Sequence, residues 1–353
     1  IKRNLFVYEA YNNGKYTMEE KKEMFPHLFN SLSIVIPVLS STFASVGRFL
    51  KHAGNMSLGM LIIDESGQAV PQSALGAIYR TRRAVVVGDP LQVEPVVTIP
   101  KVLIDILADS TCVANEYKVI ENSAQTFADN INEFNGMIGE RQVGCPLVVH
   151  RRCIEPMFSI SNLISYDNRM FNKTNKKEEY LKPENPFLIK KSGWINVEGV
   201  ENGGKDHFVK NQAERVCQLM EDAVHIYSDL FETDDKIFII TPFRTVAESM
   251  RKFIISYFSA KGYDKEILSK WTKNCVGTVH TFQGKDANEV LLVLGCSNKS
   301  AGAMNWVVKK ANILNVACTR AKYRIAFIGN INDWKNRRYF REFIPKFIDT
   351  IDA

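Results

Sequence analysis

The sequence predicts an α/β protein with parallel sheets, arranged as two domains. Three observations lead there. Short apolar runs at 60–63 (MLII), 84–87 (AVVV), 236–240 (KIFII) and 290–294 (VLLVL) each stop at polar or glycine-bearing residues. Continuous apolar character over so few residues suits a parallel strand buried on both faces. Stretches with helical spacing separate the runs, such as 211–226, where Val216, Leu219, Met220 and Ala223 share one face. The 353 residues are enough for two domains with real cores.

Bulk composition narrows the function classes. A hydrophobic content of 45% with 24% charged residues is that of a soluble globular chain. The net charge of +6 is compatible with a polyanionic partner without requiring one. Seven cysteines occur without any Cys-x-x-Cys pair, which argues against a zinc site or a disulfide framework. The same usage points to a reducing, intracellular setting, cytoplasmic or nuclear. No apolar run reaches membrane-spanning length and no signal peptide is visible, so no membrane partner is expected. The first residue is Ile1, and no Gly-x-x-x-x-Gly-Lys-Ser/Thr occurs, so the chain reads as a fragment.

Taken in order, residues 1–32 are helical in pattern and rich in charge, with a break expected at Pro26. Residues 33–39 (SIVIPVL) read as a strand. The hydroxyl-rich 40–46 segment, with Ser41 and Thr42, suits either phosphate contacts or a helix N-cap. The 60–63 run ends in Asp64 and Glu65. The 84–87 run ends in Gly88-Asp89-Pro90 and then Gln92. Ligands in open α/β sheets bind beyond the carboxyl ends of strands, so both tips face one crevice. There Asp64 can hold Mg²⁺, Glu65 can orient and deprotonate a water, and Gln92 can sense a terminal phosphate. Two strand exits with solvating acids are the other explanation of these residues.

A helix over 99–107 closes the first domain, and a new helix starts at Ser123, which sets a boundary near residue 120. The 147–156 segment carries the basic pair Arg151-Arg152. Residues 171–207 are polar and irregular around a short strand at Trp194, with Gly203-Gly204 as a turn. The 236–240 strand leads into Thr241-Pro242-Phe243-Arg244 and a helix over 246–258. Residues 276–283 (VGTVHTFQ) lead into Gly284-Lys285-Asp286. A helix over 312–322 carries Arg320, which as a helix-terminal cation would also balance the macrodipole. In the tail, Phe340, Phe343, Phe347 and Ile351 recur at the spacing of a docking helix, with Pro345 kinking it or opening its last turn.

Asp-Glu-Ser-Gly-Gln followed by Gly-Asp-Pro-Leu-Gln-Val-Glu-Pro resembles motifs II and III of superfamily 1 helicases. The resemblance is to the branch typified by the nonsense-mediated-decay helicase. Later matches keep the family's order. Residues 147–156 stand where the family has a Gln-Tyr-Arg-Met-x-x-Pro-like segment, and Thr241-Pro242-Phe243 resembles its Thr-Pro-Tyr. Residues 276–286 resemble motif V, and 312–322 (NILNVACTRAK) resemble motif VI. Arg151 replaces an aromatic that often stacks on adenine, and Asp286 is one methylene shorter than the more usual Glu.

The resemblance implies two RecA-like P-loop NTPase domains with parallel sheets, the first incomplete. Residues 1–120 would be the C-terminal part of domain 1 (motifs Ic, II and III), and 121–353 would be domain 2 (motifs IIIa/IV, V and VI). It implies an ATP-dependent motor on single-stranded DNA or RNA, with ATP between the domains and Mg²⁺ at Asp64. Glu65, Gln92, Arg152 and Arg320 would be catalytic. Asp64, Glu65, Gln92, Arg152, Gly284, Asp286 and Arg320 would bind the nucleotide. Ser41, Thr42, Thr241, Pro242, Thr278, His280 and Thr281 would lie along the nucleic acid. The P-loop is expected upstream of Ile1, so the intact protein would be the ATPase and this chain alone inactive. The rival is a nucleic-acid-binding or scaffolding module derived from a helicase and lacking the P-loop. A RecA-like NTPase unrelated to nucleic acid is disfavoured by the motif V and Thr-Pro-Phe segments.

Overall fold

The structure, a computed structural model, describes residues 7, 9–114, 117–118, 122–138, 141–174, 187–203, 205–282 and 284–351. The chain divides into two compact units. Unit 1 holds residues 1–90, 94–136 and 142–145, and unit 2 holds 91–93, 137–141 and 146–353. The division does not fall at the boundary expected near residue 120: residues 122–136, with the helix that starts after Ser123, belong to unit 1, and 119–121 lie outside the described residues.

In unit 1, after a short helical stretch at 9–12, helix α1 (Met18–Ser33) is capped by Thr17. The Thr17 hydroxyl accepts from Glu20 N at 3.3 Å while the Glu20 carboxylate accepts from Thr17 N at 2.7 Å. Pro26 lies inside this helix and does not break it as expected. Phe25 and Phe29 stack at 4.9 Å across the proline and pack on Leu50 and Ala53, and this packing offsets the missing hydrogen bond.

The strand expected over 33–39 is also corrected. Ser33 ends α1, and residues 34–39 are irregular and exposed. Apolar β-branched residues become a strand only against a partner edge, and none pairs with them among the described residues. Helix α2 (Phe43–Phe49) follows, with Thr42 at its N-cap position but no side-chain cap bond.

Strand β1 (Leu58–Ile63), helix α3 (Pro71–Tyr79) and strand β2 (Thr81–Val86) form a parallel pair with its crossover, in register Ile63↔Val86. Burial on both faces is not observed. Ile63 is buried with Ala74 and Ala124, and Leu61 and Val86 pack beside them, whereas Met60 and Ile62 are exposed. One face of the pair is covered and the alternate residues look outward. Helix α4 (Lys101–Ser110) and helix α5 (Ala124–Ile131) complete the unit. A Ser123–Thr126 capping box starts α5.

Unit 2 contains helix α6 (Met157–Ser165), strand β3 (Gly193–Asn196), and a hairpin of β4 (Glu201–Gly203) and β5 (Asp206–Val209). Helix α7 (Lys210–Ile226), strand β6 (Ile237–Thr241), helices α8 (Arg244–Ser259) and α9 (Lys265–Cys275), and strands β7 (Val276–Thr278) and β8 (Ala287–Val293) come next. Helices α10 (Ala301–Val307) and α11 (Asn312–Arg320), strand β9 (Ala321–Gly329), helix α12 (Phe340–Phe347) and strand β10 (Asp349–Thr350) complete it. The sheet runs β7-β6-β8-β9-β3-β10 with every pairing parallel.

Here the apolar runs behave as expected: β6 is buried throughout, and β8 throughout except at Asn288. Trp194 stacks on Phe327 at 5.7 Å, and its indole N–H donates to Gly329 O at 2.8 Å. Helix α12 seals that end of the sheet with Phe340 and Phe343, its Pro345 again inside the helix. Of the polar 171–207 stretch, 175–186 and Gly204 lie outside the described residues, and Gly203 turns the hairpin at φ 94°. Among the described residues no helix is long and apolar enough to cross a membrane.

Candidate active site

In unit 1, Asp64 follows β1 as an exposed carboxylate whose Oδ1 accepts the Glu65 N–H at 2.9 Å. Glu65 sits in the left-handed region at φ 52°, which is unusual for a side chain of its size. Its carboxylate accepts from Gln68 Nε2 at 3.0 Å. Ser66, fully buried, anchors the turn. Its N–H donates to Val87 O at 2.9 Å, and its hydroxyl lies 2.9 Å from Val87 O and 2.6 Å from Gln125 Oε1. Gln125 Nε2 donates to Asp129 Oδ1 at 2.8 Å, which also accepts Gly144 N at 3.1 Å.

The two strand tips touch through backbone. A Cβ on Gly67 would meet Asp89 O at 2.7 Å, and one on Gly88 would meet Gly67 N at 2.6 Å and Ser66 N at 2.7 Å. Both glycines are therefore required by close approach. Ser41 and Thr42 are exposed in the same unit. The Thr42 hydroxyl donates to Ser45 Oγ at 3.2 Å.

In unit 2, Arg320 closes α11 with its side chain fully buried. One guanidinium nitrogen donates to Lys285 O at 2.9 Å and Phe282 O at 3.4 Å. The other lies 3.4 Å from both Thr319 Oγ1 and Gln92 Oε1. A buried cation is tolerable only with such partners. Phe282 is held for this by stacking on Phe238 of β6 at 4.4 Å.

Arg152 is half-buried in the loop before α6, and among the described residues its guanidinium has no hydrogen-bond or ion-pair partner. His150 shapes that loop, since its Nε2 accepts the Cys153 N–H at 2.9 Å. Burial, followed by the Arg152 charge, lowers the His150 pKa and keeps the ring neutral as that acceptor requires. The Cys153 thiol, pushed up to about 12 by burial, feels the charge of both Arg152 and Arg320.

Gly284 turns at φ 75°. Asp286 is ion-paired to Lys322 Nζ at 2.7 Å. Gln283 lies outside the described residues. Thr241 and Thr278 are paired across β6 and β7. The Thr241 and Pro242 side chains are buried, Thr278 is half-buried, and His280 and Thr281 are exposed. The structure thus brings Gln92 and Arg320 into contact in unit 2, where Arg152 and Arg320 both act by their charge on Cys153. Asp64 and Glu65 stand together in unit 1.

A family model described as AAA domain matches residues 133–332, more than half of the chain, and a second with the same description matches 7–99. Probable helicase senataxin of Mus musculus is 22% identical over 326 residues, which are 89% of this chain and 11% of that protein. An uncharacterized ATP-dependent helicase of Methanocaldococcus jannaschii is 24% identical over 336 residues, 91% of this chain and 43% of that protein. Regulator of nonsense transcripts 1 of Caenorhabditis elegans is 26% identical over 298 residues, 81% of this chain and 24% of that protein. The chain belongs to the superfamily 1 helicases, in the branch of the nonsense-mediated-decay helicase. It spans less than half the length of these relatives.

Several residues that build the candidate site were not singled out from sequence. Ser66, Gln125 and Asp129 hold the Asp64-Glu65 turn, and Lys322 pairs with Asp286. Asn315, fully buried on α11, donates to Leu91 O at 2.9 Å and to the Tyr166 hydroxyl at 3.0 Å, and accepts from Ser161 Oγ. Asn315 thereby fixes the residue next to Gln92. Ser66 and Asn315 lie inside the recognised motifs, so motif membership was the available signal. Gln125 carried none.

Proposed function

We propose that this superfamily 1 helicase is an ATP-dependent translocase on single-stranded DNA or RNA. The observation that carries the reading is the contact of Arg320 with Gln92 at 3.4 Å in unit 2, where Arg152 and Arg320 also both act by their charge on Cys153. Three segments far apart in sequence supply one neutral amide and two guanidiniums. That is a donor set suited to the oxygens of a terminal phosphate.

In this reading Glu65, with its carboxylate braced by Gln68 and its backbone fixed by Ser66, takes the proton of the attacking water. Asp64 suits Mg²⁺, being an exposed hard-oxygen donor at a strand end. That ion, when bound, neutralises phosphate charge. Arg152, uncommitted among the described residues, is available to the γ-phosphate, and Arg320 stabilises the charge that builds there. Gly284 and Asp286 border the nucleotide. Exposed Ser41, Thr42, His280 and Thr281, with half-buried Thr278, meet the phosphodiester backbone, while enclosed Thr241 and Pro242 shape that surface from beneath.

The test is single-strand-stimulated ATP hydrolysis by the full-length protein beside Glu65→Gln. Stimulated turnover that the substitution removes, with nucleic-acid binding retained, is the expected result. Binding of the polymer with no turnover in the unmodified protein would overturn the motor and favour the scaffolding module.

A further inference from the structure

We propose that Glu201, His207 and Cys296 form a site for one divalent transition-metal ion of the zinc type, in unit 2. The inference is independent of the nucleotide chemistry above. One ligand atom from each residue lies within 4.8 Å of the other two. The donor set of carboxylate, imidazole and thiolate is the mixture Zn²⁺ accepts, and three protein ligands leave a fourth position for water. The absence of a Cys-x-x-Cys pair does not bear on it, because only one cysteine takes part.

The backbone holds the three positions together. Glu201 opens β4, His207 lies on β5 across the hairpin, and Cys296 follows β8. The Cys296 N–H donates to His207 O at 2.9 Å, and Gly295 before it sits at φ 62°. A Cβ on Gly295 would meet His207 O at 2.8 Å, so glycine is what lets the chain come this close. Cys296 itself takes φ 58°, an uncommon value for cysteine.

The carboxylate is already oriented. Its Oε1 accepts from Ser297 Oγ at 3.2 Å, and Oε2 faces His207 Nδ1 at 2.9 Å. Outer hydrogen bonds of this kind fix metal-ligating carboxylates. Tetrahedral donors at about 2.0–2.3 Å from an ion stand about 3.3–3.6 Å from one another. The Glu201–His207 pair, now 2.9 Å apart, therefore has to open by about 0.4–0.7 Å.

On binding, the Cys296 thiol gives its proton to solvent, and neutral His207 coordinates through Nδ1 with its N–H on Nε2. The Glu201 and Cys296 side chains are buried, and His207, somewhat exposed, offers the way in. The His207 ring lies 4.7 Å from Phe243, so an ion here links the hairpin to the Thr241-Pro242-Phe243 segment.

The experiment is titration of the purified protein with Co²⁺, followed by displacement with Zn²⁺. One equivalent should bind with a thiolate-to-cobalt charge-transfer band and tetrahedral visible bands, and Zn²⁺ should bleach both. Cys296→Ser should abolish the charge-transfer band and weaken Zn²⁺ binding about 100-fold or more, and Ser297→Ala about 10-fold. Cys112→Ser and Cys145→Ser, at exposed cysteines, should change neither. Should Cys296→Ser fail to fold, His207→Asn must show the same loss of affinity. A protein that takes up no stoichiometric Co²⁺, or keeps its Zn²⁺ affinity in Cys296→Ser, overturns the site and leaves a plain Glu201–His207 hydrogen bond.

Discussion

Ser66→Ala should loosen the Asp64-Glu65 turn far more than the loss of one oxygen suggests. The Ser66 hydroxyl lies between Val87 O at 2.9 Å and Gln125 Oε1 at 2.6 Å, with no solvent access. Removing it forfeits a hydrogen bond of about 1 kcal/mol and leaves the buried Gln125 acceptor without its donor, a further cost of about 1–3 kcal/mol. The opening free energy of this turn should therefore fall by about 2–4 kcal/mol, which is roughly a 30- to 1000-fold faster amide exchange in an equilibrium-opening regime.

Removing both partners distinguishes this origin from general damage. In Ser66→Ala/Gln125→Met the orphaned acceptor is gone, so the double variant should recover about 1–2 kcal/mol relative to the sum of the singles. Hydrogen exchange read at Ser66, Gly67 and Gly88, beside urea unfolding, measures the cycle. ATP turnover of the full-length protein should fall about 100-fold in the single variant, because a Glu65 displaced by about 1 Å loses its aim. A strictly additive cycle, or a Ser66→Ala change within about 0.5 kcal/mol of the unmodified protein, would refute the reasoning.

Gly88→Ala should destabilise unit 1 by about 1–3 kcal/mol in denaturant unfolding, since the new Cβ meets the backbone nitrogens of Ser66 and Gly67, which cannot step aside. Arg320→Lys should cut stimulated ATP turnover about 1000-fold while leaving single-strand affinity within a few-fold, because an ammonium cannot reproduce the fork held between Lys285 O and Gln92. The folded His150 pKa lies below the ordinary 6.5, so its contribution is full above that pH and is lost on acidification. Exchange in residues 150–153 should rise as pH falls below 6.5, and not in His150→Asn. Glu289 behaves oppositely: burial pushes its carboxyl up to about 7 from 4.5, so the fold holds the proton more firmly. The stability it contributes is full below pH 4.5 and is lost as pH rises to 7, a slope that Glu289→Gln should flatten in unfolding of unit 2.

What the sequence disclosed and what it hid divide along the range of the interactions. The strands of unit 2 were legible because their apolar runs are covered on both faces, so local composition and final burial agree. The run at 60–63 has the same composition, yet only the Leu61 and Ile63 face is packed, because burial depends on what lies opposite. Residues 33–39 have strand composition and no strand, for want of a partner edge among the described residues. Pro26 carried the signal of a break, and aromatic packing on Leu50 and Ala53 overrode it. The polar relay was out of reach for the same reason. Ser66 and Gln125 are 59 residues apart, and Asn315 reaches 224 residues back to Leu91.

The Asp-Glu-Ser-Gly motif shows how chemistry and architecture share one short stretch. Asp64 is exposed and Glu65 half-buried, both open to a ligand, while Ser66 and Gly67 are buried and spend their atoms on the neighbouring tip. Gly67 is required by Asp89 O, and Gly88 by the nitrogens of Ser66 and Gly67, so each motif's glycine is explained by the other motif's backbone. The left-handed Glu65 backbone, a strain of about 1–3 kcal/mol, persists because the residues on both sides over-determine it. Asp64 accepts its N–H from one side and the Ser66 anchor fixes the other. Two carboxylates at a strand end are common. A pair held this way, with the second turned out of line from the first, has its geometry set before any ligand arrives, and preorganisation of that kind is what the proposed water activation by Glu65 requires.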